Sequence, residues 1–176
     1  MHTEREQRYL TEIANRMVAM KEYLDSHAVP TWNTPTELLG FLATLRQIQG
    51  NLSNDVSFAA TLMAKEFLSS RFGVTFDAAE KPQGAPGIDI KLQLPDGKRI
   101  AAEIKTTVPY QANDFGAQQA ASFKKDFAKL SMASADHKFL FVTDARAYSA
   151  LLKPKYLKFI PGVSIVNLVT GAEYVA

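Results

Sequence analysis

The chain has 176 residues, which suits one domain built on a single core. Hydrophobic residues make up 47% of it and charged residues 22%, so we expect a folded protein rather than a disordered one. The chain has no cysteine, which excludes disulfides, thiolate nucleophiles and cysteine-based zinc sites, and its three histidines lack the spacing of zinc ligands.

Charge and hydropathy give expectations about partners and location. The net charge is only +2, so any phosphate-binding surface would depend on local lysine clusters, at 124–125 and 153–158, which are otherwise ordinary solvated faces. No apolar run reaches membrane-spanning length, and the N-terminus lacks the apolar core of a signal peptide. We therefore expect a cytoplasmic protein without a membrane partner.

The first 53 residues are predicted to be helical. Residues 3–26 carry an apolar seam in steps of three and four, formed by Leu10, Ile13, Met17, Met20 and Leu24. A seam this short is not stable alone, so it must pack on the same domain or on a second copy of the chain.

Two further helices follow. Thr34 is a predicted N-cap, with Pro35 at the first helical position and Glu37 completing a capping box. This helix is expected to turn four leucines inward, namely Leu38, Leu39, Leu42 and Leu45. A third helix is predicted over 54–72, ended by Gly73.

Beyond the third helix the periodicity becomes that of strands. Residues 74–76 are a short strand candidate. Apolar and polar residues then alternate over 88–94 and again over 99–105, on either side of a tight turn, which predicts a β-hairpin. A helix over 115–133, a strand over 139–142, a helix over 145–152 and a strand over 163–168 complete the order. The sequence therefore predicts an α/β fold with helices on both faces of a sheet.

The predicted hairpin gathers charged side chains. Strand alternation puts Glu103 and Lys105 side by side, and the tight turn brings Asp89 toward them. Two converging carboxylates are costly unless a cation lies between them, and hard oxygen ligands suit Mg²⁺ or Mn²⁺. A lysine beside that cation can orient a water or stabilise a phosphate. Otherwise Glu-x-Lys is a common surface ion pair, worth about 0–1 kcal/mol.

The motif has a family resemblance. The segments Gly87-Ile88-Asp89 and Ala102-Glu103-Ile104-Lys105-Thr106, with this order of elements, resemble the active-site motif of the PD-(D/E)XK nuclease superfamily. The resemblance covers roughly residues 54–168 and implies a restriction-endonuclease-like mixed central sheet flanked by helices. Pro86 departs from the family pattern, because it lies three residues before Asp89 rather than directly before it.

The resemblance implies roles for individual residues. Asp89 and Glu103 would bind a catalytic Mg²⁺, replaceable by Mn²⁺, together with the backbone carbonyl of Ile104, and Lys105 would act on the water and the scissile phosphate. Glu66 is the candidate for the additional glutamate that many members supply from the preceding helix. A helical projection places Glu66 at the border of that helix's apolar face, with Lys65 pointing away. Alternatively, Glu66 is an ordinary carboxylate at the rim of that face.

Phosphate contacts would come from the end of the hairpin and from the helix after it. The candidates are Thr106, Gln118, Gln119, Lys124 and Lys125. Gln119 is alternatively a plain surface glutamine, and Thr106 alternatively reflects the preference of threonine for strands.

The implied function is Mg²⁺-dependent cleavage of double-stranded DNA. We expect a type II-like restriction endonuclease of prokaryotic or phage origin that acts as a homodimer, one subunit per strand. Residues 1–53 would dimerise or contact DNA, and residues 54–176 would form the nuclease core, within one compact domain. Two alternatives stay open: a structure-selective or repair nuclease, such as a junction resolvase or nicking subunit, and a non-catalytic DNA-binding module.

Overall fold

The structure is a computed structural model that describes residues 1–27, 32–111 and 114–175. The chain forms two compact units, Met1–Asp55 and Val56–Ala176. In these described ranges, no helix has both the length and the apolar composition that a membrane crossing needs.

The first unit is helical, as predicted. It contains α1 (Glu4–Asp25), α2 (Pro35–Gln49) and the first residues of α3 (Leu52–Phe72). A capping box begins α1, because the Glu6 N–H donates to Thr3 Oγ1 at 3.2 Å and the Thr3 N–H donates to Glu6 Oε2 at 2.9 Å.

The predicted N-cap of α2 is confirmed, but its capping box and its inward face differ from the prediction. Glu37 Oε2 accepts from the Asn33 N–H at 2.8 Å instead of from the N–H of Thr34. Thr34 accepts from the Glu37 N–H at 3.2 Å, as an N-cap should. The predicted inward orientation of Leu39 and Leu42 is wrong, since these side chains are 68% and 50% exposed. The apolar side of α2 centres instead on Phe41, whose ring lies 5.5 Å from that of Tyr23 on α1.

A bidentate ion pair ties α1 to the start of α3. Arg16 Nη2 donates to both carboxylate oxygens of Asp55, at 2.7 and 2.8 Å. Along the predicted seam of α1, Leu10, Ile13 and Met20 are half-buried, whereas Met17 and Leu24 are exposed. The seam is therefore only partly covered.

The second unit is built on a five-stranded mixed sheet. Its strands are β1 (Ile90–Gln93), β2 (Arg99–Lys105), β3 (His137–Val142), β4 (Ser164–Asn167) and β5 (Glu173–Tyr174), in that spatial order. The three central strands are parallel, and β1 and β5 join the edges antiparallel. The predicted α/β class and the mixed sheet are confirmed.

Helices cover both faces of this sheet. The second-unit part of α3 packs on one face, where Ala64 and Leu68 meet Phe139 and Phe141 of β3. On the other face lie α4 (Ala117–Met132), α5 (Ala145–Leu151) and α6 (Pro154–Leu157). Their buried side chains include Phe123, Phe127, Leu130, Leu151 and Tyr156.

Three local predictions differ from the structure. Residues 74–76 do not form a strand; Val74 and Phe76 pack their side chains against the sheet instead of pairing their backbone. The short elements α6 and β5 were not predicted. Four and two residues long, they are too brief to show a periodicity of their own.

The hairpin between β1 and β2 has the predicted turn and sets the register of the site. Gly97 takes the left-handed conformation at φ 86°, and the Leu94 N–H donates to the Lys98 carbonyl at 2.7 Å. Ile90 pairs with Ala102, so extending this register by one residue places Asp89 opposite Glu103.

Candidate active site

The hairpin holds the two predicted metal ligands on neighbouring strands. Asp89 directly precedes β1, and its Oδ2 accepts from the Ile104 N–H of β2 at 2.9 Å. This hydrogen bond fixes the carboxylate beside β2 where the register places it opposite Glu103. The approach of Asp89 to Glu103 across the hairpin is as the sequence predicts.

Glu103 is a buried carboxylate, and one of its two oxygens has no hydrogen-bond partner among the described residues. Its side chain is 2% exposed, and Lys129 Nζ lies 3.3 Å from Oε2. Within the described residues, Oε1 is buried and has no hydrogen-bond partner. Because a buried carboxylate oxygen without a partner is costly, this atom marks a place where a cation or a donor fits.

Two residues of α4 complete the charge network. Asp126 Oδ2 lies 2.5 Å from Lys105 Nζ, and Asp126 Oδ1 lies 2.7 Å from Lys129 Nζ. Lys105 Nζ also donates to Ser122 Oγ at 3.1 Å. The charged groups therefore alternate in sign from Lys105 through Asp126 and Lys129 to Glu103.

With all of its groups ionised, this network carries one more negative than positive charge. Three carboxylates, those of Asp89, Glu103 and Asp126, face the two ammonium groups of Lys105 and Lys129. Burial, followed by the proximity of Asp89 and of Asp126, raises the pKa of Glu103 to about 8, although Lys129 opposes the rise. The site thus favours additional positive charge next to Glu103.

The network lies in a cleft of about 720 Å³. Asp89, Glu103, Ile104 and Lys105 line it together with Asp126 and Lys129 of α4. The loop of residues 77–87 forms another wall, and Lys81 Nζ of this loop donates to the Ile88 carbonyl at 2.7 Å. A cleft of this size admits a phosphodiester and its neighbouring groups.

The side chains in the cleft fit a hard metal ion that binds oxygen ligands. Across the described ranges there is no group of three or more His, Cys, Asp and Glu side chains arranged to hold a metal. The donors on hand are the carboxylates of Asp89 and Glu103, which are hard oxygen ligands. Mg²⁺ binds with one or two carboxylates while it keeps several waters, so this sparse donor set fits Mg²⁺ better than a metal that needs a full protein cage.

The structure reverses the predicted orientation of residues 65 and 66. Lys65 is buried, and Glu66 is exposed and is not among the described residues that line the cleft. The helical projection placed Glu66 at the border of the apolar face, but the helix is rotated so that Ala64 and Leu68 face the sheet and carry Lys65 inward with them. Glu66 is a surface carboxylate.

None of the predicted phosphate-contact residues is among the described residues that line the cleft. Gln119 is engaged in holding the preceding loop, since its Oε1 accepts from the Gly116 N–H at 3.2 Å and its Nε2 donates to the Val108 carbonyl at 2.8 Å. Lys124 is exposed, with Nζ 5.6 Å from the centre of the Phe159 ring. The other three are half-buried or exposed and are not among the described lining residues: Thr106, Gln118 and Lys125.

Sequence reasoning missed Asp126, Lys129 and Ser122. One signal was present, because Asp126 interrupts the apolar positions Phe123, Phe127 and Leu130, and a carboxylate there must be buried and paired. Which strand residue would pair with it depends on how α4 packs on the sheet, and the sequence does not disclose that.

Comparison with known proteins adds no relative. No family model matches the chain, and neither a curated protein nor a solved structure matches it.

Proposed function

We propose that the chain is a Mg²⁺-dependent endonuclease that hydrolyses phosphodiester bonds in double-stranded DNA at this cleft. The observation that carries the proposal is the buried, unpartnered Oε1 of Glu103, on the strand position opposite Asp89 and two residues from Lys105. This is the arrangement of charge that the resemblance to PD-(D/E)XK nucleases implies, and we propose that the mixed sheet flanked by helices has the restriction-endonuclease-like fold.

In this proposal some residues of the site bind the metal ion and Lys105 acts on the water and the phosphate. Asp89 and Glu103 would hold the Mg²⁺, and the resemblance implies the backbone carbonyl of Ile104 as the third protein ligand. When bound, the ion would supply positive charge to the phosphate and would make the attacking water more acidic. Lys105 lies 19% exposed at the edge of the network, where its ammonium orients the attacking water and donates to the phosphate.

Asp126 and Lys129 support these groups. Asp126 holds the Lys105 ammonium at 2.5 Å, which restricts a flexible side chain to one side of the cleft. Lys129 contacts Oε2 of Glu103 at 3.3 Å, which leaves Oε1 as the oxygen that would bind the cation. The pairings reduce the reorganisation that substrate binding requires.

Restriction by a homodimer is the specific form that we propose, acting in the cytoplasm of a prokaryote or in a phage-infected cell. Cutting both strands at a two-fold site requires two active sites, and the exposed Leu39 and Leu42 of α2 offer an apolar surface for self-association. The loop of residues 77–87 lines the cleft, and we assign to it the contacts with the bases beside the cut.

Digestion of DNA tests the proposal and separates its forms. Unmethylated phage DNA is incubated with the protein and Mg²⁺, and the ends of all fragments are sequenced. Discrete fragments with one repeated end sequence are expected for restriction. Cutting of branched or damaged DNA alone replaces restriction by a structure-selective nuclease, and binding without cutting under any Mg²⁺ or Mn²⁺ condition replaces catalysis by a DNA-binding module.

A further inference from the structure

A second groove continues from the cleft toward the turn of the hairpin. Its volume is about 590 Å³, and it shares Ile88, Lys91, Leu92 and Lys129 with the cleft. The two sites are therefore neighbours on the hairpin, with these four residues in contact with both.

The groove lies over the same face of the hairpin as the candidate active site. Lys91 is in register with Ala101, and Gln93 is in register with Arg99. Because side chains alternate along a strand, these four residues share the sheet face of Glu103. Arg99 and Glu103 are four residues apart on β2, which is about 13 Å at the rise of a strand. One DNA strand advances by 3.4 Å per nucleotide along the helix axis, so this face spans about four nucleotides.

The charge of the groove complements a polyanion. Lys91, Arg99 and Lys129 line it, and no aspartate or glutamate is among its described lining residues. Lys91 is exposed and has no ion-pair partner in the described ranges. The carboxylate of Asp136 lies nearby, but its Oδ2 accepts from the backbone N–H of Arg99 at 2.8 Å. The Arg99 guanidinium donates to Ser134 Oγ at 2.9 Å.

Apart from Gln93 and Ser134, the remaining lining residues of the groove are apolar, among them Ala101, Met132, Ala133 and Ala135. Deoxyribose offers apolar carbon atoms between successive phosphates, so a sugar-phosphate backbone matches this combination of cationic and apolar surface. A strand whose bases faced the groove would place its hydrogen-bonding edges against carbon atoms instead.

We propose that this groove is a backbone-binding subsite that holds one DNA strand beside the scissile phosphate, with phosphates on Lys91 and Arg99. The inference rests on the proposed function and extends it to the flanking part of the substrate. The subsite fixes the position of the strand and reads no base, because phosphate and sugar carry no sequence information.

The salt dependence of DNA binding tests the subsite. A short synthetic duplex is titrated with protein in Ca²⁺ in place of Mg²⁺ over a series of KCl concentrations. Each lost phosphate contact flattens the slope of log K against log salt by about 0.9. Lys91→Ala and Arg99→Ala are each expected to flatten the slope by about 0.9 and the double variant by about 1.8. Lys91→Arg keeps the slope of the wild type.

The matched control is Arg146→Ala, which removes an exposed cation of α5 that pairs with Asp144 at 3.7 Å. Its slope is expected to equal that of the wild type. Unchanged slopes in the groove variants, or the same flattening in the control, overturn the subsite, as does a wild type that binds no duplex.

Cleavage by the same wild-type preparation in Mg²⁺ keeps the two proposals apart. A protein that cuts DNA but shows unchanged slopes in the groove variants lacks the subsite and keeps the proposed function. A protein that shows the expected slopes but never cuts has the subsite and lacks the proposed catalysis.

Discussion

Asp126 links α4 to strand β2 in the candidate site, because its carboxylate pairs with Lys105. Its side chain is 5% exposed, at a position where a charge is costly unless it is paired. The pairing is double, with Lys105 at 2.5 Å and Lys129 at 2.7 Å. Asp126 is therefore a positioning residue in this account, since it acts on the cleft through the two lysines.

Asp126→Asn is predicted to lower kcat by about 10–100-fold while changing KM far less, because Lys105 loses its charged partner but the groups that hold substrate remain. Steady-state cleavage of a labelled duplex measures both constants, and circular dichroism verifies the fold. Asp96→Asn, which removes an exposed carboxylate paired with Lys98 at 3.1 Å, serves as the control. A folded Asp126→Asn enzyme with wild-type kcat contradicts the positioning role.

Asp114 gives a prediction about pH. Its hydrogen bond with Lys155, followed by that with Tyr156 at 2.7 Å, holds the pKa of Asp114 below its usual range. The folded state therefore favours the carboxylate, and this contribution to stability is present above the unfolded-state pKa of about 3.9 and is lost as pH falls through the lowered folded-state pKa.

Asp114→Asn is accordingly expected to lower the urea midpoint at pH 7 and to differ less from the wild type at pH 3 and below. Urea unfolding at several pH values measures the gap. A gap that widens with acidification contradicts the assigned pKa direction.

At the scale of elements, the sequence predicted every described helix and strand longer than four residues, and the two elements that it missed, α6 and β5, are four and two residues long. The helices over 4–25 and 52–72 and the strand over 99–105 carry patterns long enough to be distinctive, and their types were predicted correctly. The three residues 74–76 alternate in the same way as a strand, but they pack by side chains alone. A pattern this short does not distinguish pairing from packing.

Gly87 is the element-scale test of how the loop positions Asp89. Its φ is 94°, where a side chain is strained, and a Cβ would meet nothing within 4 Å. Gly87→Ala is thus expected to cost about 1–2 kcal/mol of unfolding free energy through the backbone alone, and to reduce cleavage as well. Gly171→Ala, at φ 73° and with the same open space, is the control.

Denaturant unfolding and cleavage rates are measured on both glycine variants. Gly171→Ala is expected to lose similar stability and to keep its rate at a temperature where both variants are folded. Equal rates for the two variants would mean that Asp89 is positioned by β2 without the loop.

For the whole molecule, the division of the candidate site between local and distant residues explains what could be predicted. Asp89, Glu103 and Lys105 belong to one hairpin, so strand alternation and a tight turn were sufficient to relate them. Asp126 and Lys129 join from α4, 23 and 26 positions after Glu103 along the chain. Their contribution depends on how α4 packs on the sheet, which local patterns do not specify.

Self-association is the whole-molecule prediction. The wild type is expected to sediment as a dimer, and Leu39→Lys with Leu42→Lys is expected to shift it to a monomer, because these exposed leucines would face charge in the interface. Val169→Lys changes an exposed side chain of the second unit and keeps the dimer. A wild type that is a monomer at every concentration in analytical ultracentrifugation removes the dimer from the proposal.

The central claim is that Glu103 and Lys105 perform metal-dependent phosphodiester hydrolysis, and plasmid cleavage in Mg²⁺ tests it most directly. Wild-type protein is compared with Glu103→Gln, Lys105→Ala and the surface control Glu66→Gln, with folding verified for each. The wild type and Glu66→Gln are expected to cut the plasmid, EDTA is expected to abolish cutting, and the two site variants are expected to lose at least about 100-fold in rate. Cutting by folded Glu103→Gln and Lys105→Ala at the wild-type rate contradicts it.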